Sequence, residues 1–78
     1  MSGKMLPYQR LSGDSGVVAY SIAPQAIAVR FVDGLVYTYS HASAGAAKVE
    51  EMKRLAQAGK GLSTYISQHV RDGYASKR

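Results

Sequence analysis

The sequence predicts an α+β fold, a three-stranded antiparallel meander packed on one face by a two-helix hairpin. Three observations carry that expectation. Large apolar residues alternate with smaller or polar ones through Val18, Tyr20 and Ile22, through Ile27, Val29 and Phe31, and again from Leu35 to Ser40. Asp33-Gly34 separates the second and third runs, and such a pair is a strong hairpin signal because glycine takes positive φ without a Cβ clash. After Ser43 the apolar period changes from that of a strand to that of a helix.

Each element follows in order. Residues 1–16 mix Ser, Gly and isolated charges without a period, so they are expected to form a flexible tail, with Ser12 to Gly16 as a hinge. The first strand turns at Ala23-Pro24-Gln25, where Pro24 fixes φ and cannot donate to a ladder. Ser43 is a plausible N-cap for the first helix, whose stripe is Val49, Met52 and Ala56, bordered by Leu55. Glu50, Lys53, Arg54 and Gln57 fall on its opposite side, and Gly59 is placed to end it. Leu62, Tyr65, Ile66, His69 and Val70 recur at helical spacing as a second apolar face, with Gly73 as its stop. Residues 75–78 read as a short basic C-terminal tail.

Composition bounds the function. The chain has 78 residues, near the lower limit for a single unstapled core, and no cysteine, so disulfides and thiolate metal sites are excluded. Oligomerisation is the remaining inexpensive way to bury surface, so a homo-oligomer is expected. Ten Lys plus Arg stand against five Asp plus Glu, giving a net charge of +5 that favours anionic partners. The N-terminus lacks a signal-peptide pattern and no run is apolar enough to cross a bilayer, so a soluble cytoplasmic protein without membrane attachment is the expectation.

The Tyr-x-Tyr of Tyr37 and Tyr39, the run from Lys60-Gly61 through Tyr65 to Val70-Arg71, and the closing Gly73-Tyr74 resemble the KTSC domain. That small module is named for its place at the C-terminus of some lysyl-tRNA synthetases. The resemblance covers residues 17–74. It implies a small domain presumed to bind nucleic acid, in a bacterium or a bacterial virus.

The hairpin register decides which face the tyrosines use, because a slip of one residue exchanges the faces. With Asp33-Gly34 as a two-residue loop, Arg30 pairs with Tyr37. Tyr37 and Tyr39 then share an open face with Arg30, forming a platform on which bases could stack. With Val32-Asp33 as a type I turn and Gly34 as a left-handed bulge, Phe31 pairs with Leu35 and Val29 with Tyr37. All the large residues then lie under the helices. The second register yields one consistently apolar face, which a half-solvated sheet requires, and is preferred.

Several constellations bear on chemistry. Gly59-Lys60-Gly61 superficially resembles a phosphate loop, but a Walker A motif needs a glycine where Arg54 stands and a Ser or Thr where Gly61 stands, so nucleotide hydrolysis is excluded. A weaker possibility is an anion held by Gly61 and the following amides at a helix start, with Lys60 beside it. The competing reading is a glycine-rich helix–helix turn with a solvated lysine. Arg71 projects with Thr64, Ser67 and Gln68, placed to meet a phosphate or to sit solvated near the helix end. Lys53 and Arg54 form a basic pair, but Glu50 precedes them at helical contact spacing and competes for them. His69 falls in an apolar stripe and reads as a core residue, and His41 lies in the strand-to-helix loop. No spaced carboxylate orients either imidazole, so neither catalysis nor a metal site is expected.

The leading expectation is therefore a non-enzymatic, cofactor-free binding module for RNA or single-stranded nucleic acid. Lys60, Gly61, Arg71, Arg30, Tyr37, Tyr39 and Tyr65 are its candidate contacts. The alternatives are a protein–protein assembly module using the sheet face of Ala28, Val36 and Thr38, and an oligomeric binder of a small anionic nucleotide.

Overall fold

The computed structural model describes residues 5–9, 16–70 and 73–78. The chain is α+β, with a five-stranded antiparallel sheet in the order β1-β2-β3-β4-β5. Its centre is the expected meander: β2 (Val17–Ala23), β3 (Ala26–Phe31) and β4 (Val36–Ser40). The two further strands come from the segments that the sequence marked as tails. β1 (Leu6–Pro7) pairs with β2, and β5 (Ser76–Lys77) pairs with β4. Two-residue strands carry no readable alternation, and for that reason the periodicity missed them. Pro7 lies on an outer edge, where its missing N–H costs no ladder bond.

The β3–β4 hairpin adopts the bulged register. Val29 pairs with Tyr37 and Ile27 with Tyr39, while Arg30 pairs with Val36. The Gly34 N–H donates to Phe31 O at 2.9 Å, and the Phe31 N–H to Leu35 O at 3.0 Å. Gly34 has φ of 90°, a left-handed conformation that a side chain would strain. This register sends Ile27, Val29 and Tyr39 to one face and Ala28, Arg30, Val36 and Thr38 to the other.

Helices cover only the first face. Ser40 caps α1 (His41–Ala44) through a reciprocal pair with Ser43, each side-chain oxygen 3.0 Å from the other's backbone N. Ser43 is thus the third residue of a short additional helix rather than the cap of the long one. α2 (Ala46–Ala58) buries Val49, Met52 and Ala56, the stripe expected from the sequence, and ends at Gly59. The last helical segment begins as α3 (Leu62–Tyr65) and continues as a π-helical turn, Ile66–Val70.

The π turn alters which side chains face inward. Leu62, Ile66 and Val70 are buried, and Tyr65 packs against the core from its margin. His69, read from the sequence as a core residue, is exposed instead and lies against the Tyr65 ring at 4.6 Å. The wider i→i+5 turn departs from the α-helical spacing on which the expectation for His69 rests. Gly73 then returns the chain to the sheet. A Cβ there would stand 3.0 Å from Val70 O and 3.5 Å from the Ala44 Cβ, tighter than a side chain comfortably fits.

The N-terminal segment also closes the core. Tyr8 is only 4% exposed, and its backbone N–H donates to Val18 O at 3.0 Å. Its hydroxyl accepts from the buried N–H of Leu62 at 3.1 Å, satisfying an amide at the start of α3 that has no partner within the helix. Tyr8→Phe leaves that amide unpaired while preserving the ring. The substitution is expected to cost about 1–3 kcal/mol by urea denaturation. An unchanged midpoint would show that the strap does not hold the helix start.

Candidate functional site

An open cleft of about 660 Å³ lies where β3, β4, β5 and the π-helical turn meet. The end of β3 and its turn supply Phe31, Val32 and Asp33, and β4 supplies Tyr37 and Tyr39. Ile66 and Ser67 come from the π turn, Tyr74 from the segment returning to the sheet, and Lys77 from β5. The π turn thus does more than adjust the core, because it forms one wall of the cleft.

Tyr37 is the centre of an aromatic group. Phe31 meets it edge-to-face at 5.2 Å and 78°, and Tyr74 does the same at 5.0 Å and 81°. Such perpendicular contacts place the positive ring edge against the negative ring face, fixing the rings more firmly than burial alone would. Tyr39 lies parallel to Tyr37 at 6.4 Å but is 1% exposed, so it forms the floor. Tyr37 and Tyr74 are half-buried, and Val32 projects at the rim with 67% exposure. The Lys77 ammonium stands 5.5 Å from the Tyr37 ring centroid, within cation–π range. Lys77 reaches that ring because β5 sets it directly opposite Tyr37.

Only part of the set expected from the sequence converges here. Tyr37 and Tyr39 line the cleft, but the burial of Tyr39 removes it as a stacking surface. Arg30 is exposed on the opposite sheet face, because the bulged register separates it from both tyrosines. Tyr65 packs against the core and His69 and does not line the cleft. Lys60 is exposed at the α2–α3 turn, also outside it. The anion site expected at Gly61 is weakened by the fold itself, since the Leu62 N–H is already taken by the Tyr8 hydroxyl. Arg71 lies outside the described residues.

Phe31, Asp33, Tyr74 and Lys77 line the cleft and lie outside the set of contacts expected from the sequence. Tyr74 had a signal in the closing Gly73-Tyr74 pair, whereas Lys77 had none, since nothing in a two-residue strand announces its return to β4.

A second cluster lies on α1 and α2. His41 Nε2 is 2.8 Å from Glu50 Oε2, and Lys53 Nζ is 2.9 Å from the same oxygen. The expectation that no carboxylate orients an imidazole is therefore corrected for His41, whose partner is distant in sequence but one helix away in space. Lys53 also donates to Pro24 O at 3.1 Å, and the His41 N–H to Gln25 O at 2.8 Å. The cluster fastens the β2–β3 turn to the helices. Ser40 and Ser43 are engaged in helix capping, and no group of metal-ligating residues gathers there among the described residues. Arg54 pairs with Glu51, so neither cation of that expected basic pair stands without a carboxylate.

Among the described residues, no helix is long and apolar enough to cross a membrane. No protein-family model, curated protein or solved structure matches the chain.

The carboxyl of Glu50 is held below its ordinary value, first by its hydrogen bond to Lys53 and then by that to His41. A folded-state value below the unfolded one adds stability above the unfolded pKa, and that stability is lost as pH falls through the folded value. Glu50→Gln is therefore expected to lower Tm near neutral pH, with the difference from the parent vanishing in acid. A difference that persisted unchanged in acid would contradict an ionic role for Glu50.

Proposed function

We propose that the protein is a small non-catalytic module that binds RNA or single-stranded nucleic acid by taking an unstacked base into the aromatic cleft. The observation that carries this reading is the half-buried Tyr37, braced by Phe31 and Tyr74 and overlain by the Lys77 ammonium. Binders of single strands combine an aromatic ring for the base with a cation for the adjacent phosphate. The cleft volume falls in the range of roughly 300–1,000 Å³ typical of small-ligand sites. The net charge of +5 supplies long-range attraction, and the pairs that neutralise Lys53 and Arg54 leave Arg30, Lys48, Lys60, Lys77 and Arg78 without ion-pair partners among the described residues. The resemblance to the KTSC domain supports the same class. Lys60 contributes general charge in this reading, while the cleft takes the base.

Fluorescence anisotropy with short labelled RNA and DNA strands tests it. Log affinity is expected to fall linearly with log salt, and Lys77→Ala to make that slope shallower. Tyr74→Ala is expected to weaken binding by about 1–3 kcal/mol, the usual worth of a stacked base. Salt-insensitive binding, or none at low salt and micromolar protein, would overturn the reading.

A second reading, self-association, is favoured by the sheet face opposite the core. Ala19, Ser21, Ala28, Val36 and Thr38 occupy it with Arg30 as the charged residue among those paired positions. Small neutral side chains offer little resistance to a flat contact with a second copy. Sedimentation equilibrium over a broad dilution series is expected to show a mass that rises with concentration. A monomer at every concentration would remove this reading and leave the single-chain binder.

A further inference from the structure

Asp33 does not fit a cleft that attracts nucleic acid through charge alone. It is one of three side-chain carboxylates among the described residues, and the other two, Glu50 and Glu51, are paired with cations on α2. Asp33 has no such partner among those residues, yet it lines the same cleft as Tyr37 and Lys77. An ionised carboxylate only accepts hydrogen bonds and repels phosphate, so any ligand group placed against it must be a donor. Its orientation is also constrained, because Oδ1 accepts from the Leu35 N–H at 3.0 Å. That bond leaves the second oxygen, and a remaining lone pair on the first, for a ligand.

The four common bases meet such a group differently. Uracil offers one ring N–H flanked by two carbonyls, whose oxygens would face the carboxylate unfavourably. Adenine and cytosine each offer a single exocyclic amino group. Guanine alone presents two adjacent donors, N1–H and the N2 amino group, at a separation suited to the paired oxygens of a carboxylate.

We propose that Asp33 is a specificity-determining residue that makes the aromatic cleft selective for guanine, through a two-point contact of its carboxylate with N1–H and the N2 amino group. This rests on the base-binding reading above, and it assigns Asp33 a role beyond its local turn. Tyr37 and Tyr74 stand at 81° to each other, so a base stacked on the Tyr74 ring abuts Tyr37 edge-on, and Asp33 reads its hydrogen-bonding edge.

The test uses the full chain and three labelled oligouridylates that differ only at a central position, carrying guanosine, inosine or uridine. Inosine keeps the N1–H and lacks the N2 amino group, so it isolates the second contact. Guanosine is expected to bind more tightly than uridine by roughly five- to hundredfold, the usual discrimination of a two-point base contact, with inosine between them. Asp33→Asn is the informative variant. Its side-chain oxygen can keep the bond to Leu35, so the turn is preserved, while its amide turns a donor toward the donors of guanine. In that variant the three strands are expected to bind within about twofold of one another. Equal binding of the three strands by the parent protein would overturn the selectivity and leave base binding standing. A preference that survives Asp33→Asn would overturn Asp33 as its source. Failure of all three strands to bind would overturn the selectivity together with the base-binding reading beneath it.

Discussion

The left-handed turn at Gly34 is the constraint on which the rest of the structure depends. Because Gly34 occupies positive φ, the β3–β4 hairpin takes a bulged register, and Val29 rather than Arg30 stands opposite Tyr37. A flush two-residue loop would have placed both tyrosines on the solvent face beside Arg30. The bulge gathers Ile27, Val29 and Tyr39 into one apolar layer, which the buried stripe of α2 can cover. A single residue's backbone freedom thus decides between an aromatic platform and an aromatic core.

The candidate site is a product of the same choice. Tyr37 lies on the core face but near the edge of the helical cover, so its ring is braced from below and only partly enclosed. Two later features complete it: the π-helical turn, which brings Ile66 and Ser67 to one wall, and β5, which lays Lys77 over the ring. Neither would serve with the tyrosines on the other face. Helix capping, the Tyr8 strap and the Glu50 cluster hold these parts in place from the opposite end of the sequence and from the helical layer.

The central fold was legible because its signals are local and periodic. Alternation in β3 and β4 and the Val49-Met52-Ala56 stripe need only neighbours to be read, and the favoured register followed from requiring one apolar face. In β2 a register shift buries Val17 in place of the expected Val18 and leaves Ile22 exposed. The edge strands, α1 and the π turn were not legible in that way. Leu6–Pro7 and Ser76–Lys77 become strands only because a longer strand is there to receive them. The apolar stripe that includes His69 rests on unbroken α-helical spacing, whereas the chain is π-helical from Ile66 to Val70 and His69 is exposed. The site was half legible for the same reason. Tyr37 was singled out from its Tyr-x-Tyr pattern, whereas Asp33 and Lys77 acquire meaning only through contacts between distant segments. His41 and Glu50 show this most simply, since one helix start and one helix face were read separately and meet at 2.8 Å.

The most direct measurement of the central claim is the cross-strand proton contact pattern of the β3–β4 hairpin in solution, by nuclear Overhauser spectroscopy on the isotopically labelled protein. The account predicts contacts that pair Ile27 with Tyr39 and Val29 with Tyr37, together with side-chain contacts from Tyr39 to the core-facing residues of α2. Contacts pairing Arg30 with Tyr37, with both tyrosine rings remote from α2, would contradict it.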